Sequence, residues 1–223
     1  QVIHLGAIAD TSCRDVDKIM THNYDFTRML YERCLRDYVN IQFASTASVY
    51  GKSTEFTETS KLEPLNPYAY SKYLCERLLM KPQDRIKVQI FRYFNVYGNR
   101  QNDNYSGVVS KFLEKIRSEK SPIIYGDGSQ IRDFIYVGDV VDANIAAMQN
   151  KNSGFFNIGT GIPTKILDLA NEMISISGKS LIPNFDEAKP NDICYSLASV
   201  TLAESIFGWK SKTKLIDWLK KNL

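Results

Sequence analysis

Apolar and polar positions along the chain fall into two alternating periods. Residues 2–5 (Val-Ile-His-Leu) are a short apolar run closed by Gly6-Ala7, which reads as a strand and the turn that ends it. Ile19, Met20, Phe26, Met29, Leu30 and Leu35 then recur at helical spacing. Residues 39–43 predict a second strand, which runs into the small residues Ala44 to Ser48. After a polar loop, Asn66 is a ready helix cap, and Pro67 suits a first helical turn. That helix is predicted to run to about Met80, with a third strand over 86–91. Strand and helix alternate, so the pattern predicts an α/β fold: a parallel sheet flanked by helices.

After Gly98 the elements shorten. The pattern predicts helices over 107–118, 140–149 and 164–177, and strands over 122–125, near 134–137 and over 155–158. Gly126, Gly128, Gly159 and Gly161 read as turn formers. The tail from Leu202 reads as two short helices around Trp209.

Composition narrows the function classes. The chain has 223 residues, 43% hydrophobic and 24% charged, enough for one core with a small lobe. Its net charge of +3 is spread along the chain, with no basic footprint for nucleic acid. No apolar run reaches the ~20 residues that span a membrane. Cys13, Cys34, Cys75 and Cys194 are scattered and only two histidines occur, so no metal site is expected. Reduced thiols point to the cytoplasm. Asn104-Tyr105-Ser106 matches a glycosylation sequon at chance frequency.

The chemistry concentrates in Tyr68-Ala69-Tyr70-Ser71-Lys72. On a helix, Tyr68 and Lys72 stand one turn apart on one face. A nearby ammonium favours the phenolate, so the pair is expected to have a lowered tyrosine pKa and to move protons. About twenty residues earlier, Ala44-Ser45-Thr46-Ala47-Ser48 lies at the C-terminal end of a predicted strand, the edge where open α/β sheets bind ligands. A hydroxyl from Thr46 there suits a reacting sugar oxygen. His4 reads as a satisfied core histidine. Arg132 reads as the ion-pair partner of Asp133 or another acid.

The order HLGA, STASVYG, PYAYSK, RYFNVYG, GDGSQIRDFIYVGDV and NIGTG resembles the extended short-chain dehydrogenase/reductases that act on nucleotide sugars. The resemblance runs from His4 to Gly161, and more loosely through Phe207-Gly208-Trp209-Lys210. It implies a Rossmann-like parallel sheet with flanking helices plus a small C-terminal α/β substrate lobe. Residues 1–98 would be the C-terminal part of the NAD-binding domain. Residues 99–223 would be mainly substrate lobe, with about 130–160 returning to the core. It also implies a glycine-rich turn and a ribose-binding acid upstream of His4, roughly 60–90 residues that this chain does not show. On that expectation the chain alone binds NAD poorly.

The same resemblance implies roles. Tyr68 would be the catalytic acid/base, Thr46 its hydroxyl partner, and Lys72 the group that tunes it. Gly6, Ala7, Asn23, Ala44, Ser45, Tyr68, Lys72 and Tyr93 would face NAD, Asn23 also serving as a structural or relay residue. Thr46, Asn95, Val108, Tyr125, Arg132 and Asp192 would face the substrate, with Arg132 on its diphosphate.

Acids after the catalytic Thr mark dehydratases and decarboxylases in this family. Ala47 and Ser48 stand there instead, which leaves epimerases and reductases. The loop 99–109 lacks a lysine, and Lys189-Pro190-Asn191-Asp192 resembles the Arg-x-Gly-Asp uridine-ribose segment of UDP-hexose 4-epimerases. Residues 6–23 resemble ADP-heptose 6-epimerases. A UDP-hexose 4-epimerase is favoured. An ADP-sugar 6-epimerase, a nucleotide-sugar reductase and a non-catalytic scaffold stay open. A homodimer through the Tyr68 helix is also implied.

Overall fold

The computed structural model describes residues 1–101, 107–190 and 192–223. The sequon at 104–106, part of the 99–109 loop and Asn191 lie outside the described residues. In chain order, strand β1 (Val2–His4) is followed by helix α1 (Val16–Ile19). That helix passes through a π-helical turn (Met20–Asp25) into α2 (Phe26–Asp37). Then come β2 (Ile41–Thr46), a 3₁₀ turn (Ala47–Tyr50), α3 (Pro67–Leu79), β3 (Val88–Tyr93), β4 (Asn95–Tyr97) and α4 (Val108–Arg117). They are followed by β5 (Ile123–Tyr125), β6 (Ile131–Tyr136), α5 (Val137–Met148), β7 (Gly154–Ile158), β8 (Pro163–Lys165) and α6 (Ile166–Ser177). The last elements are β9 (Asn184–Asp186), β10 (Tyr195–Ser196), α7 (Thr201–Phe207) and α8 (Leu215–Asn222).

The main sheet is parallel throughout, in the order β1-β2-β3-β7. Its strands alternate between two apolar layers. Ile41, Phe43 and Ile90 pack with Tyr31, Cys34 and Leu79 of α2 and α3 on one face. Phe91, Phe156 and Ile158 pack with Ala143, Ala147 and Ala203 of α5 and α7 on the other. Gln42 and Gln89 are register partners on the α5 side. Their amides pair at 3.0 Å and donate to the carbonyls of Asn144 and Ala147, so polar side chains tie the sheet to that helix without exposing it.

The second layer system is built around β6, flanked by β4 and β10 in parallel and β8 antiparallel. A separate parallel pair, β5 with β9, stands beside it. Helices α4, α6 and α8 close over a core that includes Phe112, Ile116, Ile124, Leu169, Met173 and Trp218. The four strands missed by periodicity, β4, β8, β9 and β10, are each two or three residues long. No helix among the described residues is long and apolar enough to cross a membrane, and all four cysteines are free.

Candidate active site

The site forms where β2 ends. Thr46 has extended backbone and caps the following 3₁₀ turn, its hydroxyl accepting from Ser48 N at 3.1 Å. The turn closes at Gly51, whose φ is 62°; a Cβ there would lie 1.9 Å from the Glu63 carbonyl oxygen, so glycine is required. Helix α3 starts as the sequence predicted. Asn66 accepts from Ala69 N at 2.8 Å, and Pro67 occupies the first turn.

Tyr68 lies on that first turn, with its hydroxyl in contact with Thr46. Lys72, 3% exposed, sends its ammonium to the Ala44 carbonyl at 2.6 Å and over the Phe43 ring at 4.6 Å. This corrects the expected electrostatics. Burial raises the Tyr68 pKa, and only the Thr46 hydroxyl opposes the rise. The Lys72 charge is directed at the strand beneath rather than at the phenol. Burial pulls Lys72 itself down to about 8.

Three residues expected to face the cofactor have their side-chain polar groups engaged elsewhere. Ser45 is 3% exposed and donates to Glu76 at 2.5 Å, so its side chain belongs to the core. Asn23 is 2% exposed in the π-helical turn. Its amide bonds Ile8 N at 2.8 Å, Ile8 O at 3.1 Å and the Ser71 hydroxyl at 3.0 Å. It therefore clamps the loop after β1 to helix α3 and serves the structural role. The Tyr93 ring borders the cleft, but its hydroxyl pairs with Asn144 at 3.0 Å, and burial pushes its pKa up to about 12. Gly6 is exposed at the end of β1, and Ala7 and Ala44 are half-buried.

His4 is the core histidine the sequence suggested. Its Nε2 lies 2.9 Å from the Thr27 hydroxyl, which donates its own proton to the Asn23 carbonyl. Nε2 therefore carries the imidazole proton. Burial, and then the charge of Lys72, pull its pKa down to about 4.

The expected substrate residues converge from two elements. Thr46, Asn95, Arg132 and Asp192 border a cleft of about 610 Å³. Asn95, Val108, Tyr125, Arg132 and Asp192 border an adjoining cavity of about 230 Å³. Arg132 pairs with Asp192 at 2.9 Å, not with its neighbour Asp133. Asp133 is fully buried and accepts from Thr160 N, the Thr160 hydroxyl, Gly161 N and Ala198 N. Burial raises its pKa against those four donors. Gly159 beside it has no room for a side chain, since a Cβ would come within 2.7 Å of the Asp133 carboxylate. The Asp133 carbonyl in turn accepts from Asn95 at 3.0 Å, which orients that side chain at the cleft.

Sequence reasoning missed the buried pair behind the site. Arg92 and Glu76, 2% and 1% exposed, bond through two contacts of 3.0 and 2.7 Å. Arg92 also donates to the Tyr50 hydroxyl at 3.0 Å, which donates to Asn157 at 2.7 Å. The arginine inside the otherwise apolar 90–94 run was the available signal.

Known proteins resemble this chain in sequence and in fold. Residues 1–159 match the model of the NAD dependent epimerase/dehydratase family. A protein of Methanocaldococcus jannaschii named "Putative UDP-glucose 4-epimerase" is 37% identical over 203 residues, covering 83% of this chain and 65% of its own length. A UDP-N-acetylglucosamine 4-epimerase of Methanobrevibacter ruminantium, solved with UDP-N-acetylmuramic acid, superposes with a TM-score of 0.94 at 30% identity. That match covers 99% of this chain and 74% of that one. A UDP-glucuronic acid 4-epimerase mutant of Bacillus cereus, solved with a fluorinated UDP-sugar and NAD, gives 0.90 at 29% identity over 99% of this chain and 73% of its own. This chain thus spans about 65% of the length of the curated relative. The order of the motifs, the all-parallel sheet and the family match agree: the chain belongs to the NAD dependent epimerase/dehydratase family.

Proposed function

We propose that the chain carries the catalytic and substrate-binding residues of a nucleotide-sugar epimerase that inverts C4 of a UDP-hexose. The observation that carries this reading is one cleft of about 610 Å³ lined by both Thr46 and Arg132. A sugar nucleotide with its diphosphate at Arg132 would share that cleft with Thr46. The likeness to UDP-sugar 4-epimerases supports the nucleotide and the position of inversion.

The residues at the strand ends fit NAD. A Cβ added at Gly6 meets nothing closer than His4 Cε1 at 3.9 Å, so that backbone is open to a flat ligand. Gly6, Ala7, Lys72 and the Tyr93 ring would hold the group. When bound, NAD would supply reversible hydride acceptance at the reacting carbon. Thr46 orients the reacting hydroxyl by hydrogen bonding. Tyr68, ionised to the phenolate, would take its proton through the hydroxyl contact with Thr46, become the neutral phenol, and later give it back. Arg132 and Asn95 keep the diphosphate end fixed while the hexose turns over. The reading includes the division at about residue 98, and a homodimer supported by exposed Met29 and Tyr70 on α2 and α3.

The test is incubation with UDP-glucose and a large excess of NAD, which offsets weak cofactor binding, followed by proton NMR. UDP-galactose should accumulate to equilibrium. Net NADH formation with an oxidised sugar and no epimer replaces the epimerase by an oxidoreductase. Inversion only of ADP-sugars at C6 replaces the substrate class.

A further inference from the structure

Ser48 has no part in the proposed reaction, yet it touches a residue that does. It is half-buried in the 3₁₀ turn and borders the large cleft beside Thr46. Its backbone N–H donates to Thr46 Oγ1 at 3.1 Å, and its own hydroxyl oxygen accepts the Thr46 proton at 3.2 Å. A threonine hydroxyl has one proton and two lone pairs. Four groups compete for these three positions: Ser48 N, Ser48 Oγ, the Tyr68 hydroxyl and the reacting sugar hydroxyl. The fourth competitor, and with it the inference, rests on the proposed function. The backbone N–H can only donate, so it keeps one lone pair in every state. One proton and one lone pair remain for the other three groups.

We infer that Ser48 is a positioning residue for the Thr46 proton, the acceptor that this hydroxyl holds at rest and leaves when Tyr68 ionises. At rest the neutral phenol donates to Thr46, and Thr46 donates to Ser48. No position on Thr46 is then left for the sugar. A phenolate can only accept, so on ionisation the Thr46 proton turns from Ser48 to Tyr68, and a lone pair opens to the cleft. The sugar hydroxyl donates into it. As that hydroxyl gives its proton to Thr46, Thr46 gives its own to Tyr68. The O–H electron pair stays on the sugar oxygen, the threonine ends neutral and the phenol is restored. The distance suits an acceptor that is given up. At 3.2 Å the bond to Ser48 is longer than the roughly 2.8 Å of a strong hydroxyl pair, so turning away from it costs little. Because this bond forms only beside the neutral phenol, it adds to burial in holding Tyr68 protonated.

The test is the pH dependence of kcat/KM for UDP-glucose, under a large excess of NAD, in wild type, Ser48→Ala and Ser48→Thr. Both variants keep the backbone donor to Thr46, so the turn is expected to hold. Without the serine oxygen, the Thr46 proton has only Tyr68 to turn to, which favours the phenolate. The acid limb of Ser48→Ala should therefore move to lower pH by about half a unit, the weak end of a neutral hydrogen bond. Ser48→Thr keeps a hydroxyl and should return the limb to its wild-type position. Tyrosinate absorbance, taken as the difference between each protein and its Tyr68→Phe counterpart, should show the same downward shift without turnover. A limb that stays in place in Ser48→Ala, whatever the rate does, overturns the inference and leaves the proposed function standing. So does a shift that Ser48→Thr fails to reverse. A wild-type chain that inverts no UDP-sugar under these conditions overturns the proposed function, and the inference with it.

Discussion

At the scale of single residues, Tyr68 has to ionise against its surroundings. Burial raises its pKa, and the Thr46 hydroxyl is the group that pulls the other way. Tyr68→Phe removes the proton carrier and keeps the ring, so turnover of UDP-glucose should fall about 10²- to 10⁴-fold. UDP affinity should stay within about threefold, because the diphosphate end is untouched. Activity that survives within a few-fold refutes the assignment. His4 makes a pH prediction. Its folded pKa of about 4 lies below the ordinary value of 6.5, so the folded chain binds fewer protons than the unfolded one between those values. Its contribution is therefore complete above pH 6.5, is lost as pH falls, and levels off near pH 4. The loss is about 3 kcal/mol in all. Urea denaturation of wild type and His4→Gln across pH 4–7 isolates it, because the opposite trend from the raised Asp133 cancels in the difference. Parallel curves for the two proteins would count against a buried neutral imidazole.

At the scale of elements, helix α3 is held at three points along its length. Asn66 caps its start, Asn23 grips Ser71 in its first half, and Glu76 pairs with Arg92 further on. The last contact crosses from helix to sheet and is dry on both sides, so breaking it leaves a guanidinium without compensation. Glu76→Gln should cost about 3–5 kcal/mol in chemical denaturation. The double variant Glu76→Leu/Arg92→Met should cost less than the sum of its single changes, since it leaves no unpaired charge. Additive losses would mean the two side chains act separately. The π-helical turn at Met20–Asp25 belongs to the same arrangement. It presents the Asn23 side chain to Ile8 and its carbonyl to Thr27.

Across the whole molecule, Asp139 pins the C-terminal tail to α5. Its carboxylate accepts from Lys212 N, Thr213 N and the Thr213 hydroxyl, and its carbonyl accepts from Trp209 Nε1. Asp139→Ala strands two backbone donors and should cost about 2 kcal/mol. Trp209 emission should shift to the red in the same variant. Unchanged stability and emission together would show that the tail is held by its apolar contacts alone. Much of this architecture was legible in advance. The alternation of strands and helices, the Asn66-Pro67 start of α3 and the ordered motifs are local features, and neighbours in sequence determine them. They sufficed for the α/β class, for the family, and for bringing Thr46 and Tyr68 together. The short strands β4, β8, β9 and β10 were not legible, because two or three residues carry too few alternations to stand out from the loops around them. Nor were the charges: which acid Arg132 takes, where Lys72 points, and why Ser45 and Asn23 turn inward. Those depend on partners 28 to 60 residues away in the chain and on the loss of water around them. Neither exists until the strands have paired, so only the tertiary structure decides them.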